Sequence, residues 1–483
     1  MKKKHEVDDV LKPMYHEGHR LKTRRDFLAQ GFLGMTAFAL APSALSMLSS
    51  SAHAAECAPP IFEHLTPVII IDIAGGGNIA GSNVMVGGAG GQMDFLASYA
   101  SLGLPTEFHP SKSGQVNTEM GLAFHSSSGI LQGIRNITSQ STRDNTEGII
   151  FCTTSDDDTG NNQSNPIYWL HKAGAKGKLA QLAGTLQTES GGNSTSPLDS
   201  INPAVAPVRI TSRQEAINLV STGTILGSLS ESKVRSIMNT ASRISERKLA
   251  GFSRRSLPEQ IQALVGCGFS ESSEQLYKVK PGDVDPNEDM VAKTIFDKIT
   301  NSDTRNRSRA ISKLVLDGHI GVGTITLGGF DYHDGTRTTG DARDFDLGQL
   351  MGAIMELAAA KKTDVVIYVL TDGGVAANGT VDSTGKFVWA GDSGQRSATF
   401  MMVYKNDGRP SLRTTKRQIG YYKANGAVEG SAMLTSNSVV TTSKAMVANY
   451  LALHGLEGNF ENVVGDDPFR NKLDQYLVFD KLK

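Results

Sequence analysis

The chain has 483 residues, of which 39% are hydrophobic and 20% are charged. This composition supplies the apolar side chains of a sizeable core and excludes wholesale disorder. Its 48 lysines and arginines nearly equal its 49 aspartates and glutamates. The net charge of −1 therefore gives no electrostatic reason to expect nucleic-acid binding.

The first 54 residues have the three parts of an export signal. A pair of arginines at 24–25 precedes a diluted apolar run over 27–48, and residues 52–54 (Ala-His-Ala) form a small-x-small cleavage pattern. The paired arginines resemble the twin-arginine signal. We expect cleavage before Ala55, a periplasmic or secreted protein and no membrane contact after cleavage, an uncleaved anchor helix being the alternative.

The cysteines give little guidance about cofactors. An oxidising compartment permits one disulfide among Cys57, Cys152 and Cys267, and the sequence leaves the pairing open. They form neither a CxxC motif nor a Cys/His cluster, so we do not expect a zinc site built from thiolates.

The mature chain opens with the pattern of a buried parallel strand. An apolar run over 68–73, interrupted by Asp72, is closed by Gly-Gly-Gly-Asn at 75–78. The following patterns predict a helix over 93–103, a polar loop over 107–128, a strand over 148–153, a helix over 166–175 and an exposed excursion over 187–200.

The C-terminal third alternates strands with helices. Helical spacing before it, over 228–250 and 286–315, predicts a helical insertion at about 210–318. We then predict strands over 321–327, 364–370 and 397–404 and helices over 344–361 and 442–454. The predicted fold is α/β: residues 55–483 form a doubly wound, mostly parallel sheet flanked by helices, with that insertion.

Acidic side chains stand at four predicted strand ends, where ligands collect in open α/β sheets. These candidates are Asp72, Asp331 with His333, Asp372, and Asp392 before the last strand. Converging carboxylates raise each other's pKa unless a cation lies between them. Oxygen ligands with one imidazole suit Mg²⁺, Mn²⁺, Ca²⁺ or Zn²⁺. Each aspartate could instead cap a turn or a helix.

Several motifs together resemble one family. Residues 328–333 read Gly-Gly-Phe-Asp-Tyr-His, and a helix, a valine-rich strand, an acidic turn and a Gly-Asp-x-Gly segment at 391–394 follow. With the twin-arginine signal, this resembles the exported family called domain of unknown function 1501, of the alkaline phosphatase/sulfatase superfamily. The resemblance is clearest at 321–404 and detectable at 66–86. It implies a doubly wound α/β fold with one or two metal ions that cleaves phosphate or sulfate esters.

The family's residues are only partly present. The resemblance implies metal ligation by Asp331 and His333 and makes Ser164, in a Ser-Asn pair that stands for Ser-His, the nucleophile position. Asp372 and Asp392 keep family carboxylates. Asn78, Gly373 and Ser393 stand where relatives carry an acid or imidazoles.

These losses favour two functions. Neutral side chains cannot balance two dications, so an intact two-metal phosphatase is not expected. We therefore predict an exported protein with an eroded metal site, impaired in catalysis, that binds an unidentified protein partner or has a structural role. The alternative is a single-metal hydrolase of small phosphate or sulfate esters that uses Asp72, Asp331, His333 and Asp372. A redox or nucleotide enzyme would need a dinucleotide fingerprint, which the sequence lacks.

Overall fold

The computed structural model describes residues 65–73, 75–155, 162–203, 205–220 and 279–482, with three single positions between 220 and 279. The export signal, Cys57 and Cys267 lie outside the described residues, as does most of 221–278. Twelve strands are present in these ranges: β1 Val68–Ile73, β2 Val116–Asn117, β3 Phe124–His125, β4 Thr146–Cys152, β5 Ala180–Gly184, β6 Val208–Arg209, β7 Ile320–Leu327, β8 Val365–Thr371, β9 Val375–Val381, β10 Phe387–Asp392, β11 Ala398–Tyr404 and β12 Gln418–Ile419.

Eight of these strands form one central sheet in the order β12-β4-β11-β8-β1-β7-β5-β6. β1 pairs in parallel with both β7 and β8. Among the described strands of this sheet, β11 alone runs antiparallel to its neighbours, β4 and β8. The prediction of an α/β fold with a mostly parallel sheet is thus confirmed.

Helices cover both faces of the sheet. They are α1 Gly129–Ile137, α2 Gln140–Asp144, α3 Ile167–Ala173, α4 Arg213–Asn218, α5 Pro281–Val284, α6 Met290–Phe296, α7 Ser302–Leu316, α8 Thr338–Lys361, α9 Val439–His454 and α10 Phe460–Val464. The core on one face includes α1, α6, α7 and α8, and the core on the other includes α3, α9 and α10.

The burial of β1 on both faces explains why the first apolar run does not alternate between apolar and polar residues. Ile69, Ile71 and Ile73 pack into the core on one face, whereas Val68 and Ile70 pack into the core on the other. A strand with helices above and below it is expected to be apolar on both faces, and Asp72 is the one polar residue of β1.

Glycines allow α1 and α8 to cross in close contact. A Cβ added at Gly348 would lie 2.1 Å from the carbonyl oxygen of Ile130, and one added at Gly133 would lie 2.2 Å from that of Phe345. Both obstacles are backbone atoms, which cannot rotate aside as a side chain can. The two helix backbones therefore touch, and this contact fixes the N-terminal part of α8.

Several predicted elements differ from the structure. Residues 93–103 form no α-helix and contain only a short 3-10 turn, at Ala100–Leu102. The hairpin β9–β10 was not predicted, because β9 exposes four of its seven residues and shows no apolar alternation. In the predicted insertion at 210–318, α6 and α7 belong to the helical layer that packs on the sheet. Cys152 is buried and free.

The glycine crossing can be tested by adding a single methyl group. Gly348→Ala should lower the free energy of unfolding by about 1–3 kcal/mol, the usual cost of overpacking, which urea denaturation measures. Gly282→Ala is the matched control, since Gly282 is also helical and its added Cβ would meet no atom within 4 Å. Equal stability of the two variants would contradict a tight crossing.

Candidate metal centre

A glycine turn after β1 organises the carboxyl edge of the sheet. Gly75 and Gly76 have φ values of 103° and 86°, a left-handed conformation that favours glycine. Their N–H groups donate to Oδ1 of Asp372 at 2.8 and 2.9 Å. A Cβ at Gly75 would lie 2.6 Å from the backbone nitrogen of Asp331, and one at Gly76 would lie 3.5 Å from Oδ1 of Asp392. The turn thus lies against three predicted site residues.

Three of the five predicted metal ligands meet at this edge. Nε2 of His333 lies 2.6 Å from Oδ1 of Asp331 and 3.3 Å from Oδ2 of Asp392. One ligand atom from each residue lies within 4.8 Å of the other two. The side chains are 64%, 39% and 29% exposed for Asp331, His333 and Asp392. Ion pairs at such exposure contribute little to stability.

The antiparallel strand explains how Asp392 joins the cluster. Asp331 and His333 follow the end of β7, and Asp392 ends β10 shortly before β11 begins. Because β11 runs opposite to its neighbours, its start lies at the edge where the parallel strands end. The alternate spacing of Asp331 and His333 brings both to one side, as the sequence predicts.

Asp372 binds the glycine turn through only one of its two carboxylate oxygens. The side chain is 1% exposed. Oδ1 accepts the two glycine N–H groups, whereas Oδ2 is buried and has no hydrogen-bond partner among the described residues. Burial raises the pKa of Asp372 to about 6 and the charge of Asp72 adds to this, although the glycine N–H groups oppose it. Asp372 does not belong to the group of three.

The carboxylate of Asp72 accepts hydrogen bonds from a loop, and Asp72 is also outside the group of three. Its Oδ2 accepts N–H bonds from Asn193 at 2.6 Å and Ser194 at 2.8 Å, and its Oδ1 accepts the Ser194 hydroxyl at 2.8 Å. Burial raises the pKa of Asp72, and the bonds from Ser194 and Asn193 oppose that rise. The prediction that 187–200 is an exposed excursion is wrong at its centre, because Ser190 and Ser194 are buried.

Ser164 lies on a segment that contacts Asp372. Its hydroxyl is buried and has no hydrogen-bond partner in the described part of the chain. Two residues earlier, Nδ2 of Asn162 donates to the backbone carbonyl of Asp372 at 2.9 Å. The backbone carbonyl of Ser164 accepts the hydroxyl of Ser443 at 2.8 Å. The predicted nucleophile position is therefore on the Asp372 side of the edge, just before α3.

Asn78 and Ser393, at positions where the resemblance predicts lost ligands, form hydrogen bonds within the protein. Asn78 donates from Nδ2 to the hydroxyl of Ser82 at 2.6 Å, in a buried network. The hydroxyl of Ser393 accepts a bond from Nη1 of Arg396 at 3.0 Å. Within the ranges that the structure describes, Asp331, His333 and Asp392 are the group that can hold a metal ion.

The buried carboxylate of Asp344 helps to hold the segment that carries Asp331 and His333, a role that the sequence did not predict. Asp344 in α8 accepts the hydroxyl of Tyr332 at 2.8 Å and Nδ2 of Asn83 at 2.7 Å. Tyr332 stands between Asp331 and His333, and its hydroxyl also accepts the N–H of Asn78. This chain of bonds anchors the segment that carries two cluster residues. The sequence gives no signal for it, because Asp344 is one of four charged residues in the stretch 341–346.

Comparison with known proteins adds no family to this description. The chain matches no protein-family model, and no curated protein is significantly similar to it. Among the helices that the structure describes, none has the length and apolar character needed to cross a membrane.

Asp344→Asn should flatten the pH dependence of the free energy of unfolding between about pH 4 and 7. Burial raises the pKa of Asp344 to about 7 from an ordinary 3.8. Over that interval the folded state keeps a proton that the unfolded chain has lost, so stability falls as pH rises. The contribution is at most about 1.4 kcal/mol per pH unit. Urea denaturation across this range, with a chelator present, measures it.

The control for this experiment is an exposed carboxylate. Asp303→Asn, at a side chain that is 71% exposed, should keep the wild-type slope. A profile for Asp344→Asn as steep as that of the wild type would show that Asp344 does not hold a proton in the folded protein.

Proposed function

We propose that this chain is an exported protein that binds a single divalent cation and does not hydrolyse esters. The observation that carries the proposal is the cluster of Asp331, His333 and Asp392, with ligand atoms within 4.8 Å of one another. Two carboxylates and one imidazole suit Zn²⁺ or Mn²⁺ best and also admit Mg²⁺ or Ca²⁺. A partner that supplies a further oxygen would complete the coordination shell.

The surroundings of the cluster argue against a second cation. A two-metal site holds its ions about 3.5–4 Å apart and needs charged ligands for both. Both carboxylate oxygens of Asp72 already accept hydrogen bonds from Asn193 and Ser194. Asp372 offers one oxygen at most, because its Oδ1 accepts the two glycine N–H groups. Too few free donors remain for a second dication.

The resemblance to the alkaline phosphatase/sulfatase superfamily supports the same proposal. Asn78, Gly373 and Ser393 stand where relatives carry an acid or imidazoles. Such substitutions remove ligands for a second ion and leave the three-residue cluster in place. An exported relative with this ligand set would keep the scaffold for binding, with a protein partner or an assembly role, and the twin-arginine signal would deliver it folded to the periplasm or beyond.

Cation binding can be measured directly. The protein purified without its signal should bind about one equivalent of Zn²⁺ or Mn²⁺ by calorimetry and elemental analysis. Asp331→Asn with His333→Gln should weaken binding by more than ~100-fold, since loss of even a supporting outer contact costs about 10–100-fold. Asp334→Asn is the matched control, because Asp334 is exposed, adjacent and outside the cluster.

Two results would overturn the proposal. One is stoichiometric binding that survives the loss of Asp331 and His333, which would place the cation elsewhere. The other is the absence of any saturable cation binding by the wild-type protein.

A second candidate, a single-metal ester hydrolase, is favoured by one observation. The hydroxyl of Ser164 and Oδ2 of Asp372 are both buried, and neither has a hydrogen-bond partner among the described residues. Unpaired buried polar atoms are costly in a fold and are often kept for a ligand. A cation at this edge would polarise the ester oxygen. Ser164 would supply the attacking oxygen, and the raised pKa of Asp372, about 6, would let that carboxyl take up a proton near neutral pH.

Assays with aryl phosphates and aryl sulfates across several divalent metals separate the two candidates. The binding proposal expects rates at background. The hydrolase alternative expects metal-dependent turnover that Ser164→Ala lowers by at least ~100-fold, since a nucleophile cannot be replaced by solvent without a large loss. Ser411→Ala, at an exposed serine, is the control and should keep wild-type rates.

A further inference from the structure

A second, positively charged site lies at the other end of the sheet. The loop before β12 borders an open pocket of about 360 Å³, which we call the arginine pocket. Its walls carry three arginines, Arg409, Arg413 and Arg417, and one carboxylate, Glu147. Glu147 is the second residue of β4, whose other end approaches the metal centre. At about 3.3 Å per residue, β4 separates the pocket from that edge by roughly 17 Å.

Two of the arginines are each held in place by hydrogen bonds from their Nε and Nη2 atoms. Arg409 donates from Nε to the carbonyl of Asp144 at 2.9 Å and from Nη2 to the carbonyl of Glu119. Arg417 donates from Nε and Nη2 to the two carboxylate oxygens of Glu147, at 2.7 and 2.9 Å. Each guanidinium is therefore fixed by two bonds before any ligand arrives.

The third arginine follows the same pattern. Arg413 donates from Nε to the carbonyl of Phe479 at 2.9 Å and from Nη2 to Oε1 of Glu457 at 2.6 Å. In all three arginines Nη1 is left without a protein acceptor among the described residues. The pocket therefore carries three anchored guanidinium groups, each with an amino group that remains able to donate.

The charge of the pocket is unbalanced. Glu147 is 1% exposed and both of its carboxylate oxygens accept bonds from Arg417. Arg413 pairs with Glu457 and also lies 3.8 Å from Oδ1 of Asp480, whereas Arg409 is anchored by carbonyl oxygens and makes no ion pair with a described residue. Lys416 lies on the same loop and donates to the carbonyl of Ala89. The three arginines and Lys416 therefore face three carboxylates, Glu147, Glu457 and Asp480, which leaves one excess positive charge on the loop.

We propose that the arginine pocket binds a phosphate-type oxyanion, either free or as part of a larger molecule. Guanidinium groups match tetrahedral oxyanions in geometry, and pre-anchored donors lose less conformational entropy on binding. The site lies at the opposite end of the sheet from the metal centre and does not depend on a cation there. It would let the protein bind a phosphorylated molecule whether or not the proposed function is correct.

Calorimetry with inorganic pyrophosphate, in buffer that contains a chelator, tests this site. The wild-type protein should show saturable binding with a Kd below about 1 mM. Arg409→Gln should weaken it by ~10-fold or more, because a hydrogen bond to a charged group contributes that much. Arg409→Lys keeps the charge and should weaken binding less. It also serves as the second variant if the glutamine variant does not fold.

Two controls distinguish a site from general attraction. Arg307→Gln removes the same charge from the exposed face of α7, where Arg307 pairs with Asp303, and should leave binding unchanged. Asp331→Asn with His333→Gln should also leave it unchanged, since the metal centre lies at the other end of the sheet. No saturable binding by the wild type, or equal weakening by Arg307→Gln or by the metal-centre variant, would overturn the proposal.

Vesicles identify the source of the phosphate. Binding to phosphatidylglycerol vesicles that pyrophosphate competes away, and that Arg409→Gln weakens, would assign the pocket to a lipid headgroup. Binding of pyrophosphate without vesicle binding would assign it to a soluble phosphorylated molecule. Both results support the oxyanion site.

Discussion

The carboxylate of Asp372 holds the carboxyl edge of the sheet together. It accepts the N–H groups of Gly75 and Gly76, and Gly75 and Asp372 are 297 positions apart in the sequence. The turn that these bonds fix has Asp331 against Gly75 and Asp392 against Gly76. Asp331 and Asp392 thus lie beside one glycine turn whose two N–H groups are bound by the carboxylate of Asp372. Loss of these two hydrogen bonds would free the glycine turn, and Asp331 and Asp392 would lose the backbone against which they are positioned.

The acidic residues at this edge divide by burial into two kinds. Asp72 and Asp344 are buried, and both oxygens of each accept hydrogen bonds from other parts of the fold, so they fix loops and helices in place. Asp331 and Asp392 remain accessible beside His333, where a cation could approach from solvent. Asp372 belongs to both kinds, because one oxygen is engaged and the other is not. The candidate metal site is therefore a group of solvent-exposed side chains above a layer of buried, hydrogen-bonded carboxylates.

The sequence predicts the fold well where strands are buried on both faces. The apolar runs at 68–73, 364–370 and 397–404 correspond to β1, β8 and β11. Alternate spacing also predicts the pairing of Asp331 with His333. The sequence could not show long-range contacts. The serine- and glycine-rich composition of 187–200 indicates exposure, yet the N–H groups of Asn193 and Ser194 donate to the buried carboxylate of Asp72. Asp344 was hidden among charged neighbours, because only packing against α1 decides which of them is buried.

The position of β1 has a consequence for the order in which the protein assembles. The first strand of the sheet lies between β7 and β8, both from the C-terminal third of the chain. Its two edges have no native neighbours until β7 and β8, which end at Leu327 and Thr371, have been synthesised, and an unpaired apolar strand is prone to aggregate. Chaperones that shield the nascent N-terminal half would therefore matter more here than in a protein whose first strands pair with each other.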